Sequence, residues 1–294
     1  MNCLIVMQGE TYDEERKQSI LKTPVFDRAG ARNFSWEYMN DLVPQDLIFH
    51  YVKGEISAVS VIEEKTKIVT DANGQKQYVA KTRYHELDRP LMIAPIFHEI
   101  LPLLPEKYAP FQQDGSGNGG YLFPIHLELA QLLLGHLEES VEDQIIQPTL
   151  LEETSSLTIA LLSDIHYWQQ TLQTEAQHAQ QVRRQKMFET HGAHCAVCAV
   201  AVDRLLAVPY AKRPEKCTLA ERQSVDNGLV LCLNHASLYE AGLMTTNDKG
   251  QLLVSEHLIE DQYALGLYEG QQINVNKTQK KYLRWHRKHM FQTI

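Results

Sequence analysis

The chain has 294 residues, of which 44% are hydrophobic and 22% charged, and its formal net charge is −9. That length is about twice a usual domain, so two domains are expected, and the composition excludes a disordered or fibrous chain. No apolar run reaches the roughly 18 residues a membrane span needs. The five cysteines are an odd number, which argues against a disulfide scaffold and for a reducing, cytoplasmic setting. Met1-Asn2-Cys3 opens into an apolar strand with no basic stretch before it, against a secretory signal.

Residues 1 to about 135 read as mixed helix and strand. Asn2–Met7 is apolar and strand-like. Asp46–His50 leads through Tyr51-Val52 to a Lys53-Gly54 bend, and Glu55–Ile62 then alternates, which is a hairpin pattern. Asp71-Ala72-Asn73-Gly74 is a second turn, between Lys67–Thr70 and Gln77–Thr82. Asp114–Gly120 is a glycine-rich loop before the apolar Tyr121–Ile125. Residues 136–156, with Pro148 inside, read as a linker or short helices. Leu157, Leu161, Ile165, Trp168 and Leu172 share one helical face, so Leu157–Thr190 reads as one long helix or two joined, stopped at His191-Gly192.

The charge is unevenly spread. Tyr108 to Val182 holds ten acids and no Lys or Arg, whereas residues 183–294 carry 15 bases and 11 acids. Beyond Glu269 come Lys277, Lys280, Lys281, Arg284, Arg287 and Lys288 with no acid. Such a basic end suits phosphate contact, with Lys280, Lys281, Arg284, Arg287 and Lys288 as the candidates, or equally a solvated helix that packs Leu283 and Trp285 on a core.

Cys195-Ala-Val-Cys198 and Cys232-Leu-Asn-His235 form two matched pairs. Three thiolates and one imidazole suit a closed, tetrahedral structural zinc site. Cys3 and Cys217 lack such partners and read as packing residues.

Around these ligands the sequence resembles the HNH endonuclease family, in particular the HNH domain of restriction endonucleases. The likeness runs through Arg184–Cys198, Leu205-Leu206, Asp226–Cys232, Asn234-His235, Gly242-Leu243, Gly250–Ser255 and Tyr282–His286, or roughly residues 183–294. It implies a ββα fold in which one His activates water, an Asn orients that His and a helix His holds a catalytic Mg²⁺ or Mn²⁺. Asn227 matches the Asn. The general-base position falls on Tyr210, a phenol with an ordinary pKa near 10. The metal-His position falls on Ala236, and an acid that often follows falls on Glu240. Three readings stand: a degenerate nuclease kept for binding, an active one using His191 or His194 with Glu240 or Asp226, or a different alignment between Cys198 and Asp226. Whether the chain is an enzyme is open at this point.

Residues 1–130 resemble the PUA-like superfamily, especially EVE and YTH-type domains. Ala31–Trp36, Val43–Tyr51, the hairpin through Ser60 and Phe111–Phe123 carry the likeness, with Gln45 where a Gly is common. A flipped base needs aromatic faces and edge contacts. Trp36, Phe49, Tyr51 and Tyr121 offer faces, and Asn33, Ser35, Asp46 and His50 offer edge contacts, although Trp36, Phe49, Tyr51 and His50 fit a barrel core equally well.

The expected class is therefore α+β: a PUA-like β-barrel recognising modified bases (1–135), an acidic helical linker (136–182) and an HNH-like zinc domain (183–294). The resemblance implies restriction and anti-phage defence through double-stranded, modified DNA. The alternatives are an active HNH endonuclease and a regulatory partner of another nuclease. A homodimer suits duplex binding, and no membrane association is expected.

Overall fold

The apolar runs of the first half build one mixed sheet. In the computed structural model, which describes residues 1–146 and 156–293, the chain divides into two units, Met1–Ala176 and Gln177–Ile294.

In the first unit, β1 (Cys3–Met7) runs parallel to β3 (Leu47–Val52) and antiparallel to β7 (Leu122–Ile125). β3 turns through Lys53 and Gly54, at φ 49° and 105°, into β4 (Glu55–Ile62). The expected hairpin is thus a two-residue turn with both central residues left-handed, which matches the strand twist. β4 pairs with the C-terminal part of β6 (Lys76–Met92), whose N-terminal part pairs with β2 (Ile20–Pro24) and β5 (Lys67–Thr70). The strand order is β2-β6-β4-β3-β1-β7 with β5 beside β6, and the end strands β2 and β7 do not pair. The β-barrel expected is therefore present as a curled half-barrel sheet.

Period-2 alternation sorts the strand side chains onto two faces. Cys3, Ile5, Leu47, Phe49 and Val59 join one core with α4 (Leu127–Ile146) and the first part of α5 (Ser156–His191). Leu4, Val6, Ile48 and Ile62 join another with Met39 of α2 (Phe34–Asp41) and Leu42 directly after it. Leu137, Val141, Leu161, Ile165, Trp168 and Leu172 are all buried in the first core. The segment expected as a linker thereby belongs to the first unit as far as Ala176, because its apolar stripe has a sheet to cover, and its last six residues fall in the second. Pro148 lies outside the described residues. Full burial of each such side chain stabilises by about 1.5–3 kcal/mol. The stretch expected as one long helix or two joined is the single helix α5, and Gly192, at φ 88°, ends it; the division between the units falls within it. Two shorter helices, α1 (Tyr12–Gln18) and α3 (Ile93–Ile100), complete this unit.

The second unit has little sheet. β8 (Leu206–Ala207) pairs with β9 (Leu231–Cys232), which runs straight into α7 (Leu233–Glu240). The result is a short ββα arrangement. α6 (Leu219–Gln223) opens with a capping box from Thr218 and Glu221. A second ladder joins β10 (Met244–Thr246) to β11 (Leu252–Val254). The last helix, α8 (Lys277–His289), opens with an Asn276–Gln279 capping box and buries Gln279, Tyr282, Leu283 and His286. Among the described residues no helix is long and apolar enough to cross a membrane.

Candidate metal centre and base-recognition surface

The two ligand pairs converge. The ligand atoms of Cys195, Cys198, Cys232 and His235 all lie within 4.8 Å of one another. Cys195 follows the end of α5, Cys232 closes β9, and His235 sits in the first turn of α7. His235 Nδ1 is 3.4 Å from Cys195 Sγ and 3.2 Å from Cys232 Sγ, and Cys198 Sγ is 3.9 Å from Cys232 Sγ. A tetrahedron with zinc-to-ligand bonds of about 2.0–2.3 Å has edges of roughly 3.5–3.8 Å, so the donors fit such an ion.

The outer shell fits as well. His235 Nε2 lies 2.9 Å from the Leu265 carbonyl. Donating there leaves Nδ1 as the ligand atom, an arrangement common in metal sites. The Val197 carbonyl accepts from Gln271 Nε2 at 2.6 Å, which braces the first ligand loop. Burial raises the Cys195 thiol, but its hydrogen-bond contact with His235 and those with backbone N–H groups outweigh it and bring it down to about 6. That favours the thiolate a metal requires. Glu138, Glu142 and His166 form another group with metal-ligand spacing. It lies at the surface and offers only one imidazole and two carboxylates.

Asn227 is fully buried. Its Oδ1 accepts from Lys212 N at 2.7 Å, and its Nδ2 donates to the Lys212 carbonyl at 3.1 Å and lies 3.2 Å from Cys217 Sγ. It therefore brackets the 211–217 loop. Gly228 is obligatory beside it, since a Cβ would lie 2.1 Å from the Pro209 carbonyl oxygen. The buried Arg183 completes this bracket. It donates to the carbonyls of Val208 at 2.6 Å and Asn227 at 2.7 Å, and its guanidinium lies 3.7 Å above the Tyr210 ring. Ala236 is buried among the core side chains at 4% exposure, whereas Glu240 is exposed at the end of α7. His191 Nε2 is 3.1 Å from the Val225 carbonyl and 3.4 Å from Asp226 Oδ1. Asp226 Oδ1 also accepts from Asn276 Nδ2 at 2.8 Å.

The basic helix is less free than its sequence suggests. Lys281 bonds Glu221 at 3.0 Å, and Lys212 bonds the same carboxylate at 2.8 Å. Burial pushes Glu221 up, but these two ammonium groups outweigh it and hold the carboxyl at about 2. Arg284 and Arg287 both bond Asp248, and Arg287 also donates to the Thr246 carbonyl. Lys280 is half-buried and Lys288 exposed. On its other side α8 buries His286, stacked on Tyr239 with ring centroids 3.8 Å apart and bonded to Thr245 and the Tyr239 carbonyl. Leu283 is in the core, as expected, while Trp285 is only half-buried and stacks on His289.

In the first unit the base-binding candidates separate. Phe49 is fully buried in the core beneath α4 and α5, and Tyr51 packs on the same side against Phe111. Asp46, 1% exposed, accepts from Asn2 and from Val43 N. Trp36 is half-buried against the other core. Asn33 caps α2, accepting from the backbone and hydroxyl of Ser35, whose Oγ in turn accepts from Tyr121 N.

His50 and Tyr121 meet inside a buried network that the sequence does not announce. His50 Nδ1 lies 2.6 Å from Gln8 Oε1, and its Nε2 lies 2.7 Å from Ser60 Oγ. Gln8 Nε2 donates to Glu15 at 2.6 Å, and the Tyr121 hydroxyl donates to that same carboxylate oxygen. Burial lowers His50 to about 3, so the imidazole is neutral. Its bond to the Gln8 carbonyl oxygen then assigns the proton to Nδ1, and Ser60 donates to Nε2. Ser60, His50 and Gln8 thus align like a nucleophile relay, but Ser60 and His50 are both 0% exposed, so no substrate reaches the hydroxyl. Tyr84, 4.4 Å from His50 by ring centroids, and Tyr12, 6.1 Å away, cover this network. Gln8, Glu15, Tyr12 and Tyr84 carried no motif, and only their position beside β1 and β6 reveals them.

No protein-family model and no curated protein matches the chain. Solved structures give partial overlaps. A Rhodopseudomonas palustris protein solved by NMR shares 16% identity over 45% of this chain and 90% of its own, with a TM-score of 0.31. The YTH domain-containing protein mmi1, solved with RNA, shares 8% over 50% and 87%, with a TM-score of 0.35. A Zygosaccharomyces rouxii YTH domain, in complex with N6-methyladenosine RNA, shares 11% over 46% and 86%, with a TM-score of 0.29. Overlaps of this size carry no argument about what the chain binds.

Proposed function

We propose that this chain binds modified double-stranded DNA in restriction-type, anti-phage defence, through a PUA-like first unit and a zinc-stabilised second unit of HNH ancestry whose nuclease site has degenerated. The observation that carries this reading is the Cys195, Cys198, Cys232 and His235 cluster at the strand-to-helix junction of a ββα arrangement, with no imidazole at Tyr210 or Ala236. The four donors would hold zinc and supply folding energy. Catalysis by an HNH site would need a base at 210 and a ligand at 236, and the sequence resemblance puts a phenol and a methyl group there. Ala236 is also buried, so reversion to His would overpack the core.

The second reading is an active endonuclease, and the His191–Asp226 contact of 3.4 Å favours it. With Nε2 turned toward Asp226 and the Val225 carbonyl, Nδ1 is the nitrogen left to accept a proton from water. A retention assay on cytosine-modified and unmodified duplexes, with Mg²⁺ or Mn²⁺ present and products resolved afterwards, separates the two. Retained, intact modified duplex is expected. Cleavage that His191→Ala abolishes would establish the second reading instead.

A further inference from the structure

Three large aromatic side chains on two segments of the first unit are exposed: Phe26 at 44% and Phe34 at 43% on one, and Tyr108 at 50% on the other. Phe34 and Tyr108 touch, with ring centroids 4.7 Å apart, and Phe34 leans edge-on against the buried Phe123 at 6.2 Å. The pair is therefore anchored on the core while its outer faces meet water. Tyr38, one turn after Phe34 on α2, lies close enough for Tyr108 to influence its hydroxyl. Tyr108 holds φ at 59°, a left-handed conformation that a bulky residue avoids and that persists only where surrounding structure enforces it. An exposed, strained aromatic residue contributes little burial in return for that strain.

The surroundings match a nucleotide. Arg28 and Lys107, both exposed, sit on the two segments that carry the rings, and Arg32 lies over the Phe26 ring at 5.8 Å. Glu106 is exposed beside Lys107, whereas two other neighbouring acids are engaged internally. Asp27 accepts from the N–H groups of Ala29 and Ala31, and Glu37 accepts from Arg32 and the Tyr78 hydroxyl. Asn33, directly before Phe34, commits its Oδ1 to Ser35, which leaves its amide as a donor beside the rings. Bases stack on such faces whatever their sequence, while flanking cations hold the backbone.

We propose that Phe34 and Tyr108 form a stacking platform for an unpaired base of a DNA strand, with Arg28 and Lys107 toward its phosphates. The proposal rests on the first unit being a nucleic-acid reader, and it assigns the stacking faces to residues outside the motif-derived set.

Fluorescence anisotropy of the full chain with a short labelled single-stranded DNA tests it. Phe34→Ala and Tyr108→Ala should each weaken binding by about 5-fold or more, the lower bound for one lost base stack. Phe34→Trp and Tyr108→Phe should retain it. Tyr108→Gly should weaken binding while raising the melting midpoint, because glycine accepts the left-handed backbone. A probe with abasic sites should bind wild type and Phe34→Ala alike. The platform is overturned if Phe34→Ala/Tyr108→Ala binds as wild type does, or if only an RNA strand responds to the substitutions. Retention of modified duplex by that double variant, with unchanged affinity, removes the platform and leaves the first-unit reading standing. Wild type that binds no nucleic acid removes both.

Discussion

The two units hold themselves together by different means. The first buries both faces of a seven-stranded sheet, one beneath α4 and α5 and the other around α2. The second has two-stranded ladders only, and its loops between 195 and 230 are held by the Cys₃His cluster, Arg183 and Asn227. A broad sheet stabilises chiefly through the apolar area it buries. A small unit with little sheet depends on a few polar brackets and on a metal. The same contrast explains why site chemistry is easier to read in the second unit: its ligands are its scaffold.

The largest expected effect is on that dependence. Cys195→Ser should abolish metal binding and unfold the second unit, since structural zinc contributes on the order of 10 kcal/mol in small domains. Calorimetry should still show the first unit's transition. Loss of both transitions together would erase the contrast.

Trp168→Ala is the converse. Trp168 is 2% exposed in the first unit's core, and truncation there should cost about 3–5 kcal/mol. Metal content, measured on the same sample, should not change. Asn227→Ala comes next. It strands the buried Lys212 N–H and its neighbours, at about 1–3 kcal/mol for each polar group left unsatisfied. Urea unfolding of the metal-loaded chain would show the loss, and an unaltered midpoint would mean that the bracket is decorative.

Acid should weaken the first unit through His50. Its folded pKa is lowered to about 3 by burial, against about 6.5 in the unfolded chain. The unfolded state then binds the proton more readily, so this contribution is complete above pH about 6.5 and lost as pH falls toward about 3. His50→Gln should flatten that part of a stability–pH curve, and a curve that keeps its slope would assign the effect to another group. The smallest effect is expected at the surface: Asp248→Asn, beside Arg284 and Arg287, should leave the urea midpoint close to that of the wild type, because solvent screens exposed ion pairs.

Much of this arrangement was legible in the sequence, for identifiable reasons. The strand of Asn2–Met7, the Lys53-Gly54 hairpin and the long helix after Leu157 rest on local periodicity and turn chemistry, and all three are present. The ligand pairs are readable because a tetrahedral site requires paired donors on tight turns. The strand pattern of β6 reaches only Thr82, yet the strand continues to Met92, because Arg83–Pro90 lacks alternation and is held by β4 rather than by its own pattern. The barrel stays open because nothing local encodes whether β2 reaches β7. The spacer became core because sequence separates an acidic helix from its sheet, whereas Leu137 and Trp168 bury against it. Glu15, Gln8 and Arg183 were illegible, since a buried polar network depends on residues brought together only by the fold.

Native mass spectrometry of the purified chain addresses the metal claim most directly. The expected result is the mass of the 33.7 kDa chain plus one zinc ion, and a shift to highly charged, partly unfolded species when a chelator removes it. A metal-free mass with the compact charge distribution of a folded protein would contradict it.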